Sequence, residues 1–164
     1  MTRPTADFLA LLTVLTGHRV EFVVVGGVAA VLQGAPLATV DLDIVHSRAA
    51  DNLERLEVAL QELEARDRWP KDRLLQPRTS LLSTAGHHLL ATRHGPLDLL
   101  GTIGAGDDYG HLRGRAVDVQ VAPGVIVSVL GLEALIESKE LLGREKDKAV
   151  LPVLRRVLTE REKG

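Results

Sequence analysis

Residues Phe22 to Val45 read FVVVGGVAAVLQGAPLATVDLDIV, and how this stretch parses decides the fold. Glu21 to Val25 is continuous and β-branched, the pattern of a buried strand, and it ends at Gly26-Gly27. Val28 to Gln33 reads as a short helix closed by Gly34, with Pro36 beyond it. Val40 to His46 alternates Val40, Leu42 and Ile44 against Asp41 and Asp43, which predicts a second strand. Residues i and i+2 of a strand share a face, so Asp41 and Asp43 stand side by side, about 7 Å apart at Cα. The alternating apolar residues turn the other way, into the core.

Two aligned carboxylates repel each other unless a cation sits between them. Hard divalent ions take oxygen ligands, and Mg²⁺ commonly binds through one or two carboxylates plus substrate phosphates. Asp-x-Asp in isolation is more often a solvent-facing strand edge. Preceded by a strand, a Gly-Gly turn and a helix, it reads better as a metal site. Glycines at such a turn let backbone N–H groups approach an anion. Neither GxxxxGK[ST] nor GxGxxG is present, which excludes a P-loop and a dinucleotide fingerprint.

Outward from this stretch, Ala6 to Thr16 has helical spacing, with Thr5 or Asp7 as N-cap and Gly17 as a stop. Ala49 to Arg66 carries Leu53, Leu56, Leu60 and Leu63 on one stripe, an amphipathic helix. Trp69 to Ser83 has weak periodicity and reads as an irregular connection. His88 to Arg93 and Leu97 to Gly101 predict two strands around His94-Gly95-Pro96, and the four glycines from Gly101 to Gly110 predict a mobile loop. Ala116 to Val121 and Val125 to Leu130 follow as strands. Leu132 to Leu142 and Glu145 to Leu158 follow as helices, with a kink or restart expected at Pro152. This order predicts an α/β or α+β layer fold.

The 164 residues predict a single domain, 1–164. Aromatics are 2% of the chain, so the core must be aliphatic, and their scarcity argues against a base-stacking platform. A net charge of -2 supplies no general attraction for polyanions, and zero Cys excludes disulfide scaffolds, zinc ribbons and thiol catalysis. With no membrane-length apolar run and no signal-peptide pattern, a soluble, cytoplasmic protein with no membrane partner is the expectation.

Gly26-Gly27, the short helix, Asp41 and Asp43, and Asp98 within the apolar run GPLDLLG together resemble the nucleotidyltransferase superfamily. This is the DNA polymerase beta-like fold, and the likeness is to its small bacterial members, toxin-type ones included. The resemblance implies an α+β fold, a mixed sheet packed with helices, with C-terminal helices closing the cleft. It implies Mg²⁺-dependent transfer of a nucleoside monophosphate from an NTP to a hydroxyl. The resemblance implies an acceptor that is an RNA such as tRNA, a protein side chain or a small molecule such as an aminoglycoside, and, for a toxin, an antitoxin partner. Asp41 and Asp43 would hold two Mg²⁺ ions, which in such mechanisms lie about 3.5–4 Å apart. One ion clamps the triphosphate and the other polarises the hydroxyl. Asp98 would complete the second metal site and assist proton removal, and Gly26 and Gly27 would cradle phosphates. Independently of any family, an acidic residue flanked by Leu97 and Leu99-Leu100 needs a partner.

Lys139 falls on the apolar stripe of its helix with Leu132 and Leu135, where lysine is rare unless it snorkels or is paired. Asp147 lines up with Val150, Leu151 and Leu154 on the next helix. The resemblance assigns Lys139 to nucleotide phosphate and Asp147 to orienting Lys139, with Lys146 as an alternative for either. Thr39 is expected near the metal site or as a loop cap. Many relatives carry Pro-Arg-x-Thr where this chain has Pro36-Leu37-Ala38-Thr39, so the second expectation is a module that binds nucleotide or a partner without catalysis. His87 and His88 point to opposite faces of a strand and cannot chelate together; with His94 and His111 they read as surface or loop histidines. Arg66, Arg68, Lys71, Arg73 and Arg78 read as a solvated loop, or as a dock for RNA phosphates.

Overall fold

The computed structural model describes residues 5–68 and 82–164. Most of the expected irregular connection, with Lys71, Arg73 and Arg78, lies outside the described residues. Thirteen elements are described: α1 (Phe8–Gly17), β1 (Phe22–Val25), α2 (Gly26–Leu32), β2 (Leu42–His46), α3 (Ala50–Glu62), β3 (Arg66–Asp67), β4 (His87–Thr92), β5 (Gly95–Leu100), α4 (Tyr109–Arg113), β6 (Ala116–Ala122), β7 (Val125–Leu130), α5 (Leu132–Leu142) and α6 (Glu145–Lys163). The strands form one mixed sheet in the order β3-β4-β5-β2-β1-β7-β6. The fold is α+β, as the sequence implied.

Strand register positions everything that follows. β1 and β2 are antiparallel with Val25 opposite Asp43. β2 and β5 are parallel with Asp43 opposite Asp98, and β5 and β4 are antiparallel with Asp98 opposite Leu89. A single row across the sheet therefore carries Leu89, Asp98, Asp43 and Val25, with Gly26 stepping off its end into α2. Phe22 to Val25 on β1 and Leu42, Ile44 and Val45 on β2 are all buried, so the carboxylates sit at the rim of an aliphatic core.

The core is built from Leu, Val, Ile and Ala, with Phe22 its only fully enclosed aromatic ring among the described residues. α1 is capped by Asp7, whose Oδ1 accepts from Ala10 N at 3.1 Å. α3 docks through Asn52, which is buried. Its amide donates to Glu21 O (3.0 Å) and Ser47 O (2.8 Å), and its Oδ1 accepts from Glu21 N (2.7 Å). One side chain thus satisfies backbone groups at the start of β1 and the end of β2, groups that would be costly to bury unpaired.

Several features depart from the sequence reading. α2 starts at Gly26, not Val28, because the chain turns directly off β1 with Gly26 at φ +67°. α3 ends at Glu62, short of Arg66: Glu64 adopts φ +53°, and Ala65 N turns back to Leu60 O. This frees Arg66 and Asp67 to pair with β4. The glycine-rich segment is more ordered than expected, since Ile103 and Asp107 exchange backbone hydrogen bonds and Asp108 caps α4. α6 runs unbroken through Pro152, which is exposed; the carbonyl that loses its partner there stays in reach of water.

Candidate active site

Asp43 leaves β2 on the face opposite Leu42 and Ile44, and Asp98 leaves β5 in the same row. Adjacent strands are about 4.8 Å apart, so register alone forces the two carboxylates together. Asp41 lies just before β2 rather than inside it, and still reaches the pair. Carboxylate oxygens of Asp41, Asp43 and Asp98 all lie within 4.8 Å of one another, the one acidic group of this kind among the described residues.

Asp43 records the strain of this arrangement. Burial first, then the charges of Asp98 and Asp41, push its carboxyl up to about 7, against a smaller opposing pull from Lys139. Its Oδ1 is buried with no hydrogen-bond partner. Three converging carboxylates with an orphaned buried oxygen form a hard, all-oxygen donor set, which fits a divalent cation of the Mg²⁺ type.

The glycines are explained by this cluster. A Cβ on Gly26 would collide with Asp43 Oδ2, and the φ of +67° already favours glycine. A Cβ on Gly27 would lie 2.7 Å from Thr39 Oγ1. Thr39 therefore packs behind the glycine turn, where its hydroxyl donates to Asp41 O at 3.4 Å, and it is not among the residues lining the cleft. No side chain caps the first turn of α2, which begins at Gly26 beside Asp43.

A cavity of ≈ 330 Å³ opens over Asp43 and Gly26. Its far wall comes from the C-terminal helices, with Lys139 and Arg144 as its cations. Both are fixed by Asp147, which is 0% exposed. Lys139 Nζ reaches Asp147 Oδ1 at 3.1 Å, and Arg144 Nε reaches Oδ2 at 2.6 Å. These cations, Arg144 first, hold the Asp147 carboxyl well below the usual carboxylate range. The structure thus brings Lys139 and Asp147 together, while Lys146 is exposed and does not line the cavity.

Three residues of the site were not assigned from sequence. Arg144 precedes α6 as its N-cap, a position with no periodic signal. His87 lines the cavity from β4. Arg68 Nη2 meets Asp98 Oδ1 at 2.8 Å, supplying the partner that a carboxylate among leucines needs. The apolar flanks of Asp98 were the only hint of that pairing.

Comparison with known structures settles the architecture. The lincosamide antibiotic adenylyltransferase LnuA, solved with lincomycin bound, superposes with a TM-score of 0.63 at 13% identity, over 94% of this chain and 99% of that one. The chain has the nucleotidyltransferase fold. A Thermotoga maritima protein assigned to the nucleotidyltransferases matches at TM-score 0.55 and 21% identity, over 93% and 91% of the two chains. The antibiotic-resistance factor ANT(2'')-Ia matches at TM-score 0.50 and 17% identity, over 95% and 93%. No protein-family model and no curated protein matches the chain by sequence. Within the nucleotidyltransferase fold, the acidic row and the glycine turn occupy the sheet while α5 and α6 bring Lys139 and Arg144 over it.

Proposed function

We propose that the protein is a nucleotidyltransferase that moves a nucleoside monophosphate from an NTP to a hydroxyl acceptor. The carrying observation is the opposition of charges across one cleft. Asp43, clustered with Asp41 and Asp98, lies on the sheet side, and Lys139 and Arg144 lie on the helix side, of the same ≈ 330 Å³ cavity. That arrangement suits a triphosphate bridged between cation-neutralised carboxylates and fixed positive side chains.

Asp41, Asp43 and Asp98 would hold two Mg²⁺ ions, which when bound supply Lewis-acid stabilisation of charge on the phosphates and the attacking oxygen. Lys139 and Arg144 bind triphosphate oxygens, and Asp147 keeps both cations extended into the cleft. The Gly26-Gly27 turn would meet the phosphates beside Asp43. The acceptor hydroxyl oxygen attacks the α-phosphorus, the bond to the β-phosphate oxygen breaks, and pyrophosphate leaves with the electron pair. Asp98 takes the hydroxyl proton.

The acceptor favoured here is a small hydroxylated molecule. LnuA, named as an antibiotic adenylyltransferase, shares the fold over nearly its whole length, and the cleft is of small-molecule size. An NTP donor supports a cytoplasmic site of action; no described helix is long and apolar enough to cross a membrane. Binding without transfer rested on the loss of arginine at Leu37. Leu37 packs against the core, and Arg144 puts a guanidinium into the cleft instead.

The test is incubation of the protein with each labelled NTP, Mg²⁺ and separate pools of small hydroxylated metabolites and antibiotics, RNA, and protein extract. Product analysis is by mass spectrometry. Transfer to a small molecule, lost in Asp43→Ala, supports the reading. Transfer to RNA or protein moves the acceptor to the toxin class, with an antitoxin partner to be sought by co-purification. Nucleotide binding without transfer to any pool refutes catalysis.

A further inference from the structure

We propose that Arg68 is a positioning residue for Asp98, which aims the third carboxylate of the cluster and offsets its charge so that cation binding stays reversible. This rests on the nucleotidyltransferase reading of the site.

Arg68 is placed by the same register that builds the site. Its backbone N–H donates to Leu89 O at 2.9 Å, which puts it beside the row of Leu89, Asp98 and Asp43. The guanidinium then crosses that row. Nη1 donates to Leu90 O at 3.1 Å and Nη2 donates to Asp98 Oδ1 at 2.8 Å. The head group is thus held from two directions, and its side chain is only 23% exposed. A guanidinium tied to a backbone carbonyl has few rotamers left, so it dictates where the Asp98 carboxylate points.

The contact takes a single Asp98 oxygen, Oδ1, and leaves the other free of Arg68. It also lowers the formal charge of the three-carboxylate group from three negative to two. Both effects matter for a site whose three carboxylates would hold a cation and give it up again during turnover. A purely structural ion pair would have no need to end on a carboxylate that faces two others.

The two roles separate in a metal titration. Mn²⁺ is titrated into the full-length wild type, Arg68→Ala, Arg68→Gln and Arg68→Lys at about pH 8, with free Mn²⁺ followed by electron paramagnetic resonance. Circular dichroism and urea unfolding check the fold. Arg68→Gln keeps a donor for Leu90 O while removing the charge. Removing one positive charge beside the cluster should tighten Mn²⁺ binding roughly tenfold in Arg68→Ala and Arg68→Gln, with wild-type affinity kept in Arg68→Lys. In the transfer assay, the neutral variants should lose at least about tenfold in kcat with the NTP KM little changed, because aim and not substrate binding is lost. Arg68→Lys should recover part of kcat.

Mn²⁺ binding that is unchanged or weaker in a folded neutral variant overturns the proposal, as does an NTP KM that rises in step with the loss of kcat. Wild-type protein that binds no Mn²⁺ overturns it as well. Wild type that binds Mn²⁺, with the expected tightening in Arg68→Gln, but transfers nothing refutes the catalytic reading and leaves the Arg68 assignment to the charge of the cluster in place.

Discussion

Replacing Asp43 with Asn should make the metal-free protein more stable, and more so as pH rises. In the folded chain the Asp43 carboxyl is raised from 3.8 to about 7 by burial and by the charges of Asp98 and Asp41. A raised acid favours folding fully below its unfolded pKa, and that contribution is lost as pH rises through the folded value. The shift corresponds to an upper bound of about 4 kcal/mol at pH 8. Water reaching the open side of the cluster reduces this to about 2 kcal/mol. Asn is isosteric and neutral, and its amide can donate to Asp98. Urea unfolding with a chelator present should therefore show Asp43→Asn about 2 kcal/mol more stable at pH 8, with the gap closing near pH 4. For a domain of this length that is roughly a 4–8 °C rise in midpoint temperature. Millimolar Mg²⁺ should stabilise the wild type and narrow the gap. A variant that is less stable than wild type at pH 8, or a gap independent of pH, would show that the cluster is not electrostatically strained.

Asp147→Asn leaves Arg144 and Lys139 without their buried counter-ion and should cost about 3 kcal/mol at pH 7. Because the carboxyl is held below its ordinary range, the difference from wild type should shrink as pH falls below about 4, in the opposite sense to Asp43; urea titrations at pH 7 and pH 3 check it. Gly26→Ala should lose Mn²⁺ binding while retaining a folded circular dichroism spectrum, since the new Cβ displaces the Asp43 carboxylate. Asn52→Ala strands Glu21 N–H, Glu21 O and Ser47 O, and should destabilise by about 3 kcal/mol in chemical denaturation.

What could be read from the chain was what repeats locally. The alternation around Asp41 and Asp43 and the β-branched run before Gly26 placed the two central strands, and Val125 to Leu130 and Leu132 to Leu142 were found with their observed limits. α4 escaped because its five residues, YGHLR, span little more than one turn among glycines. The end of α3 escaped because Glu64 takes the left-handed position of a local helix stop, closed by Ala65 N to Leu60 O, where glycine is the usual signature. At the site, the acids were legible from pattern and resemblance, but their partners were not. Arg68 meets Asp98 across 30 residues of chain, and Arg144 enters the cleft from a helix cap. Pairings of that kind depend on which strands become neighbours.

The shared row of β4, β5, β2 and β1 ties chemistry to strand phase. Sliding β5 by one residue against β2 would present Leu97 or Leu99 beside Asp43 and turn Asp98 to the opposite side of the sheet. Single-residue insertions or deletions inside these strands should therefore be purged, whereas most letters outside the row can drift. A lineage constrained in this way retains its outline long after pairwise sequence comparison has lost the signal, and its relatives are best sought by the spacing of acids between paired strands.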